Sequence, residues 1–415
     1  MLRNYLLLAW RVLLRRAFFT AVSLFGIAFT IAMLVLVAAM FDHVLVAGAP
    51  EVNQDRTLGL YFAEMEGETM ARNGFAGYKL VDTYARNLPG VERVALASAP
   101  ARLTTYHTGV PEKLYLKRTD DEFWNVMQFH FVEGGPYGRA DLERGAFVAV
   151  INASTRARLF GADATAVGRE FEVDGQRFRV IGVVPDVSFL RVVSFADVWV
   201  PHTTAKSDAY RAQLIGDFMG LLLMAPDADP RAIQDEFRSR LARIEFPDPQ
   251  SFNRISAVPE SLLQTVARML FGARGTDADY GNRLLLALAV ATMLFMALPA
   301  VNLVNLNISR IMERASEVGV RKAFGASSIT LVGQFLVENL VLTLVGSALG
   351  VACASLGLWL INRSGVIAYA QLGMNLRVVA WGIAFAVVFG VISGVYPAWR
   401  MSRLRPVDAL KGVSR

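Results

Sequence analysis

Four apolar runs constrain this 415-residue chain more than any other feature. Ala17 to Phe41 carries no charged side chain over 25 residues, and Leu284 to Leu306 and Val378 to Tyr396 carry none either. Phe335 to Ile361 is broken only by Glu338. At 1.5 Å rise per residue, about 20 apolar residues cover a hydrocarbon core of roughly 30 Å. A charge at mid-span costs roughly 2.5–3.5 kcal/mol on insertion scales, so runs this long and clean read as spanning helices. The expected fold class is an α-helical membrane protein with four transmembrane helices and a large mixed α/β extracytoplasmic domain between spans 1 and 2.

Charge supplies the orientation. Between Asp42 and Tyr280 there are 26 Lys/Arg against 32 Asp/Glu, while the rest of the chain has 16 basic and 4 acidic residues. The sequence pI of about 9.5 therefore originates in the membrane part and is no argument for nucleic-acid binding. Arg11, Arg15 and Arg16 precede the first run. Arg310, Arg314, Arg321 and Lys322 follow the second, and Arg400, Arg403 and Arg405 follow the last. By the positive-inside rule these flanks are cytoplasmic, which places both termini inside and the large insertion outside. Ala47-Gly48-Ala49 resembles a signal-peptidase site, but Pro50 follows it and the apolar run is far longer than a signal h-region, so the first run reads as a retained anchor. The lone Cys353 lies in the third run, so the insertion has no internal disulfide.

The chain accordingly divides into 1–16, an amphipathic basic cytoplasmic helix that contacts membrane lipids; 17–41, span 1; and 42–283, the extracytoplasmic domain with a stalk. Next come 284–306, span 2; 307–328, a cytoplasmic helix; 329–361, span 3; 362–377, a short outer loop; 378–396, span 4; and 397–415, a cytoplasmic tail. Within the insertion, Leu58–Phe62, Val94–Ala99, Val148–Ile151, Phe171–Val173, Phe178–Val184 and Leu221–Met224 read as strands. Asp174-Gly175 between alternating apolar residues is a hairpin turn signal. Ala153 to Phe160 reads as a helix stopped by Gly161, and Asp229-Pro230 as the cap and first turn of a helix to about Ile244. Leu262, Leu263, Val266, Met269 and Leu270 recur at helical spacing and read as the stalk towards span 2.

Chemistry is conspicuous by what the residues lack. No Gly-Lys dipeptide occurs, which removes the phosphate-binding loop of P-loop ATPases. The four histidines are far apart with no metal-ligand spacing, and neither a nucleophile elbow nor a metalloprotease helix is present. No catalytic residue and no metal ligand is nominated. Inside the runs, Glu338 is the one charge, expected near the cytoplasmic end beside Gln334. Gly346-x-x-x-Gly350 and Gly390-x-x-x-Gly394 would let helices approach closely.

Between spans 2 and 3 stands Glu313-Arg314-Ala315-Ser316-Glu317-Val318-Gly319-Val320-Arg321-Lys322-Ala323-Phe324-Gly325-Ala326, a charged helix with a favourable Glu317/Arg321 pair and Gly325 as its stop. This segment closely resembles the signature of the MacB/FtsX-like family of ABC transporter permeases, in the loop that contacts the ATPase. Gln334 to Glu338 with Gly346 to Gly350 is similar to the family's third span. Tyr396-Pro397-Ala398-Trp399-Arg400 with Arg405 to Leu410 is similar to its C-terminal end. Val148 to Phe160 and Val167 to Val184 resemble its periplasmic core.

The resemblance implies a non-catalytic permease subunit of the bacterial inner membrane. It would couple ATP hydrolysis by a separate ATPase to movement of the extracytoplasmic domain, a mechanotransmission, with export of a peptide, drug or lipid-like substrate. The residues it nominates for ATPase coupling are Glu313, Arg314, Glu317, Gly319, Arg321, Lys322, Gly325 and Ala326. It implies no cofactor in this chain (ATP and Mg are bound by the partner) and two copies of the ATPase. A second permease copy, identical or related, completes the complex, with a periplasmic membrane-fusion protein as a further candidate partner. A regulatory complex acting on a cell-wall hydrolase or sensor kinase, and a lipoprotein-releasing permease, remain as alternatives.

Overall fold

The computed structural model describes residues 17–107, 110–246, 249–272, 280–313, 324 and 327–402. In chain order the elements are helix α1 (Ala17–Leu45), strands β1 (Thr57–Leu60), β2 (Phe62–Glu66) and β3 (Ala71–Ala76), a π-helical turn Leu80–Ala85, β4 (Val91–Ser98), β5 (Ala101–His107) and β6 (Val110–Thr119). There follow α2 (Glu122–Val126), β7 (Glu133–Gly134), α3 (Arg139–Glu143), β8 (Val148–Asn152), α4 (Ala153–Phe160), β9 (Glu170–Val173), β10 (Gln176–Val184) and β11 (Val198–Pro201). The insertion ends with β12 (Ile215–Gly216), β13 (Phe218–Met224), α5 (Pro230–Leu241), β14 (Arg254–Ala257) and α6 (Leu262–Phe271). Three long helices close the chain: α7 (Tyr280–Glu313), α8 (Ser328–Ser364) and α9 (Leu376–Ser402). Two compact units result, a helical unit (to residue 42, 285–364 and from 372 on) and an inserted domain (43–284 with 365–371).

Local chemistry explains the elements of the inserted domain. Asp174 and Gly175 both take positive φ, at 57° and 67°, so a two-residue turn pairs Val173 directly with Gln176. The side chain of Asn152 accepts from Thr155 N at 2.8 Å and starts α4. Asp229 accepts from Arg231 N at 3.0 Å ahead of Pro230. Ser261 and Gln264 form a reciprocal capping box on α6, and Gly272 closes that helix in the left-handed region.

The strands form one mixed sheet ordered β14-β2-β3-β13-β4-β6-β11-β8-β10-β7, with β1, β5, β9 and β12 pairing alongside. β8 and β10 are parallel, as are β6 and β11, while β11 runs antiparallel to β8. Three clusters fill the domain. One packs the π-helical turn (Leu80, Val81) and α5 (Ile233, Phe237) on Leu60, Leu96 and Leu222. A second is aromatic, with Phe123, Trp124, Tyr137 and Trp199. The third lies under α4 and includes Ile151, Leu159, Phe178 and Val198. A fully buried leucine or phenylalanine contributes roughly 1.5–3 kcal/mol, so without any disulfide this burial carries the fold.

Among the described residues four stretches are long and apolar enough to cross a membrane: Ala17–Leu45, Tyr280–Leu298, Val332–Ser364 and Leu376–Val395. Ile27, Ile31, Val35, Met296, Leu342, Ala354, Val379 and Ala386 form its common core. Glycine makes the packing close. A Cβ placed on Gly350 would sit 2.7 Å from Ala28 O, and one on Gly390 would sit 2.5 Å from Thr343 Oγ1. The two small-residue pairs of the sequence are therefore contact points, of α8 with α1 and of α9 with α8.

Candidate functional site

No convergent reactive constellation occurs among the described residues, and no three His, Cys, Asp or Glu side chains converge there as metal ligands. Three other places carry specific geometry: the α7–α8 connection, the interior of the helical unit, and the segments of the inserted domain next to its chain crossings.

At the α7–α8 connection the described residues are few. Glu313 is the last residue of α7. Ser327 caps α8, its hydroxyl accepting from Thr330 N at 3.2 Å. Between them Phe324 is 88% exposed, a bare aromatic ring in a charged segment.

Inside the helical unit α8 carries a polar row that one charged residue did not announce. Gln334, Glu338, Asn339, Thr343 and Ser347 are all buried. Gln334 Nε2 donates to Glu338 Oε1 at 3.1 Å, and Ser393 Oγ donates to Gly390 O at 2.9 Å. Asn339 Nδ2 reaches the same carbonyl at 3.5 Å. At the other end of the unit Asn375 Nδ2, just before α9, donates to Asp42 Oδ1 in α1 at 3.0 Å. Polar contacts and glycine contacts thus lock α1, α8 and α9 together.

The inserted domain fastens its own chain ends with buried ion pairs. Just after α1, Glu51 accepts from Arg191 Nη1 at 2.9 Å and from Ser194 Oγ at 2.6 Å, both carboxylate and guanidinium being nearly excluded from water. Ahead of α7, Arg268 on α6 pairs with buried Glu260, and the backbone of Glu260 is hydrogen-bonded both ways to Gly59. Desolvation raises the Glu260 carboxyl above the usual carboxylate range, although Arg268 draws it back. Between α8 and α9, residues 365–371 belong to the inserted domain. Tyr369 OH donates to Asp197 Oδ1 at 2.6 Å, and Phe189 N donates to Ala368 O at 2.9 Å. Asp197 also accepts from Asn152 Nδ2, Arg158 Nη2 and Tyr115 N at 3.2, 3.1 and 2.8 Å. Burial and the Asp197 charge push the Tyr369 phenol above its ordinary pKa, so it stays a proton donor.

Comparison with known proteins decides the family. A profile described as MacB-like periplasmic core domain matches residues 20–240, and one described as FtsX-like permease C-terminal matches residues 289–406. The chain belongs to the MacB/FtsX family of ABC transporter permeases. The macrolide export ATP-binding/permease protein MacB of Burkholderia cenocepacia (strain HI2424) is 28% identical over 291 residues, 70% of this permease and 40% of MacB. The pyoverdine export ATP-binding/permease protein PvdT of Pseudomonas savastanoi pv. phaseolicola (strain 1448A / Race 6) is 25% identical over 407 residues, 97% of this permease and 58% of PvdT. This permease thus spans about half the length of the curated relatives it matches. Among solved structures, the periplasmic region of MacB from Actinobacillus actinomycetemcomitans is 13% identical, with a TM-score of 0.37 over 53% of this chain and 94% of that one.

For this MacB/FtsX-type permease, a multi-pass inner-membrane protein, most residues nominated for coupling fall outside the described structure. Arg314, Glu317, Gly319, Arg321, Lys322, Gly325 and Ala326 lie there, as does the basic segment 1–16, and for Glu313 the helical backbone alone is described. Sequence reasoning passed over Phe324, the polar row around Asn339 and Thr343, and the Tyr369–Asp197 contact. An aromatic residue beside Arg321 and Lys322 was a usable signal for the first. A polar residue every fourth position (Asn339, Thr343, Ser347) was a signal for the second. Nothing local marks the third, whose partners are 172 residues apart.

Proposed function

We propose that this chain is the transmembrane permease subunit of an ABC exporter, moved by ATP hydrolysis in a separate ATPase. Two ATPase copies, each holding its ATP and Mg, bind two permeases as a homodimer or a related pair, with the termini and the α7–α8 connection on the cytoplasmic side. Glu313, Arg314, Glu317, Gly319, Arg321, Lys322, Gly325 and Ala326 seat that connection on the ATPase, and Phe324 adds an apolar anchor. The helices relay the stroke, and the inserted domain expels a peptide, drug or lipid-like substrate, with a periplasmic membrane-fusion protein as a further partner. The names of the MacB and PvdT relatives, both export ATP-binding/permease proteins, support the exporter reading.

The observation that carries the mechanism is the pattern of fastening. On the approaches to the unit boundaries the inserted domain holds its own chain through buried carboxylates: Glu51 after α1, Glu260 just ahead of α6, and Asp197, which accepts from Tyr369 of the α8–α9 loop. Removing one partner from a buried pair typically costs about 3–5 kcal/mol, so such joints resist local opening under load. The experiment is charge reversal at Glu317 and, separately, at Arg321, with ATPase activity of the reconstituted complex as readout. Each variant inserts normally and loses most substrate-stimulated ATPase activity. Wild-type stimulation in both variants would remove the coupling role.

A further inference from the structure

The loop between β10 and β11 is apolar where a surface loop is ordinarily polar. It includes Ser188-Phe189-Leu190-Arg191-Val192-Val193-Ser194, and Phe189 and Val192 are 41% and 45% exposed. Its polar groups, in contrast, are used within the domain. Arg191 N donates to Ser188 O at 2.9 Å and Phe195 N to Arg191 O at 2.8 Å, which closes the loop on itself. The Arg191 guanidinium pairs with Glu51. Lys117 on β6, fully buried, donates to Val192 O at 2.8 Å and to Val193 O, and so holds the loop from beneath. The Phe189 ring rests against Tyr115 and Phe195, with centroids 5.9 and 5.1 Å away, and part of it stays bare.

Two hydrogen bonds tie this loop to chain that has just left a spanning stretch. Arg191 Nη2 donates to Val46 O at 3.2 Å, and Phe189 N donates to Ala368 O at 2.9 Å. Val46 directly follows Leu45, the end of α1, and Ala368 is four residues past Ser364, the end of α8. On these two segments Val46 and Val366 are themselves 51% and 84% exposed. Their depth follows from the helical rise. Val46 is five residues past Phe41, where its charge-free run ends, and Val366 is five past Ile361. Five residues of helix advance about 7 Å, and the headgroup layer on each side of the hydrocarbon core is roughly 5–7 Å thick. Both segments therefore start at headgroup depth. Exposed Trp359 near the end of α8 and Trp381 near the start of α9, with Arg363 over the Trp359 ring, mark the same boundary, as tryptophan does at membrane–water interfaces.

We propose that the 189–192 segment is a lipid contact of the inserted domain, lying in the headgroup layer with Phe189 and Val192 set against the bilayer surface. Chain continuity selects this occupant. The loop is hydrogen-bonded to two segments that are already at headgroup depth, so lipid is within its reach without any further molecule. The chemistry agrees with the place. Exposed apolar side chains lose contact with water when they settle at the boundary of headgroups and acyl chains, and binding of that kind scales with the apolar area buried. The one cation in the loop, Arg191, has a side chain only 10% exposed and is held by Glu51 and Val46 O, so the contact rests on apolar surface and not on headgroup charge. The inference needs only that the apolar stretches span a membrane and is independent of the exporter reading.

Lipid-borne quenchers test it, using the full chain in phosphatidylcholine vesicles with the lone Cys353 replaced by Ser. Phe189→Cys and Val192→Cys each carry an environment-sensitive fluorophore, Val366→Cys carries it as a marker of the interface, and Asp235→Cys on α5 carries it as the water-exposed control. Melting curves establish that each variant folds, and either loop position alone suffices for the test. A nitroxide on the headgroup or upper acyl chain quenches the labels at 189 and 192 at least about two-fold more than the label at 235, and aqueous iodide shows the opposite order. Equal iodide quenching at 189, 192 and 235 overturns the proposal. So does lipid quenching at 366 with none at 189 and 192. Protection of 189 and 192 from both quenchers overturns it too, because the loop is then covered by protein, a second copy of the chain included.

Discussion

Replacing Tyr369 by Phe removes one hydroxyl and leaves the ring, so it isolates what that hydroxyl does at the α8–α9 loop, where it also accepts from Arg158 Nη2 at 3.2 Å. That hydroxyl donates to a carboxylate at 2.6 Å, and bonds to charged groups contribute roughly 1.5–3 kcal/mol. The lower end applies here, because Asp197 keeps Asn152, Arg158 and Tyr115 as donors and Arg158 remains partly exposed. About 1.5 kcal/mol at an RT of about 0.59 kcal/mol is a factor of about thirteen in the equilibrium for lifting the loop. The readout is hydrogen exchange at the Phe189 amide, which donates to Ala368 O and is freed when the loop lifts. In Tyr369→Phe this amide exchanges about ten-fold faster, while amides of β8 and β10 keep their wild-type rates. A change below two-fold would refute the claim that the phenol fastens the loop. An equal acceleration in β8 would refute its local character.

Three further outcomes follow from the same geometry. Gly350→Ala lowers thermal stability in detergent by about 1–3 kcal/mol, because its new methyl meets the Ala28 backbone, whereas Gly333→Ala, with open space around it, is neutral or stabilising. Asp120→Asn changes the pH profile of unfolding. The wild-type carboxyl is raised to about 7 in the folded state, so the folded form holds the extra proton between about pH 4 and 7 and stability falls as pH rises through that window. The variant gains on wild type by up to about 1.4 kcal/mol per pH unit there, and parallel urea-unfolding profiles would contradict this. Phe324→Ala weakens binding of the ATPase subunit by about 2 kcal/mol, roughly thirty-fold in a titration, and unchanged affinity would exclude the ring as an anchor.

Several short-ranged structural signals were legible in the sequence. Asp174-Gly175, Asp229-Pro230, Ala153–Phe160 and the apolar face of 262–271 are each decided by caps, turns and periodicity within a dozen residues. They stand in the structure as β9–β10, α5, α4 and α6. The β5–β6 hairpin was missed because adjacent polar residues (Thr104-Thr105, Glu112-Lys113, Lys117-Arg118) break the strand alternation and Pro111 reads as loop. The place of β11 between β6 and β8 was unreadable for another reason: it is fixed by pairing with residues more than 45 positions away. In the helical unit, glycine spacing revealed that helices meet but not which ones. The partners follow from Ile27, Ala28 and Ile31 against Gly346 and Gly350, a match of shapes across more than 300 residues.

The fastening pattern and the glycine contacts bear on one physical problem. Work delivered at one end of a molecule reaches the other only if no joint between them opens more easily than the load moves. A chain crossing is the weakest such joint, since peeling a few residues off a domain edge normally requires breaking little. Here peeling back from α1 exposes Glu51 without Arg191 and Ser194, and lifting α6 exposes Glu260 without Arg268. Lifting the α8–α9 loop strips Tyr369 from Asp197. Each step leaves a carboxylate short of its partner in a dry site, which is costlier than losing apolar contact of similar area. Glycine contacts do the complementary task in the helical unit, because backbones packed at van der Waals distance have no side-chain rotamers to yield. Buried carboxylate contacts near the chain crossings and glycine contacts along the helices thus raise the cost of local opening in the two units by different means.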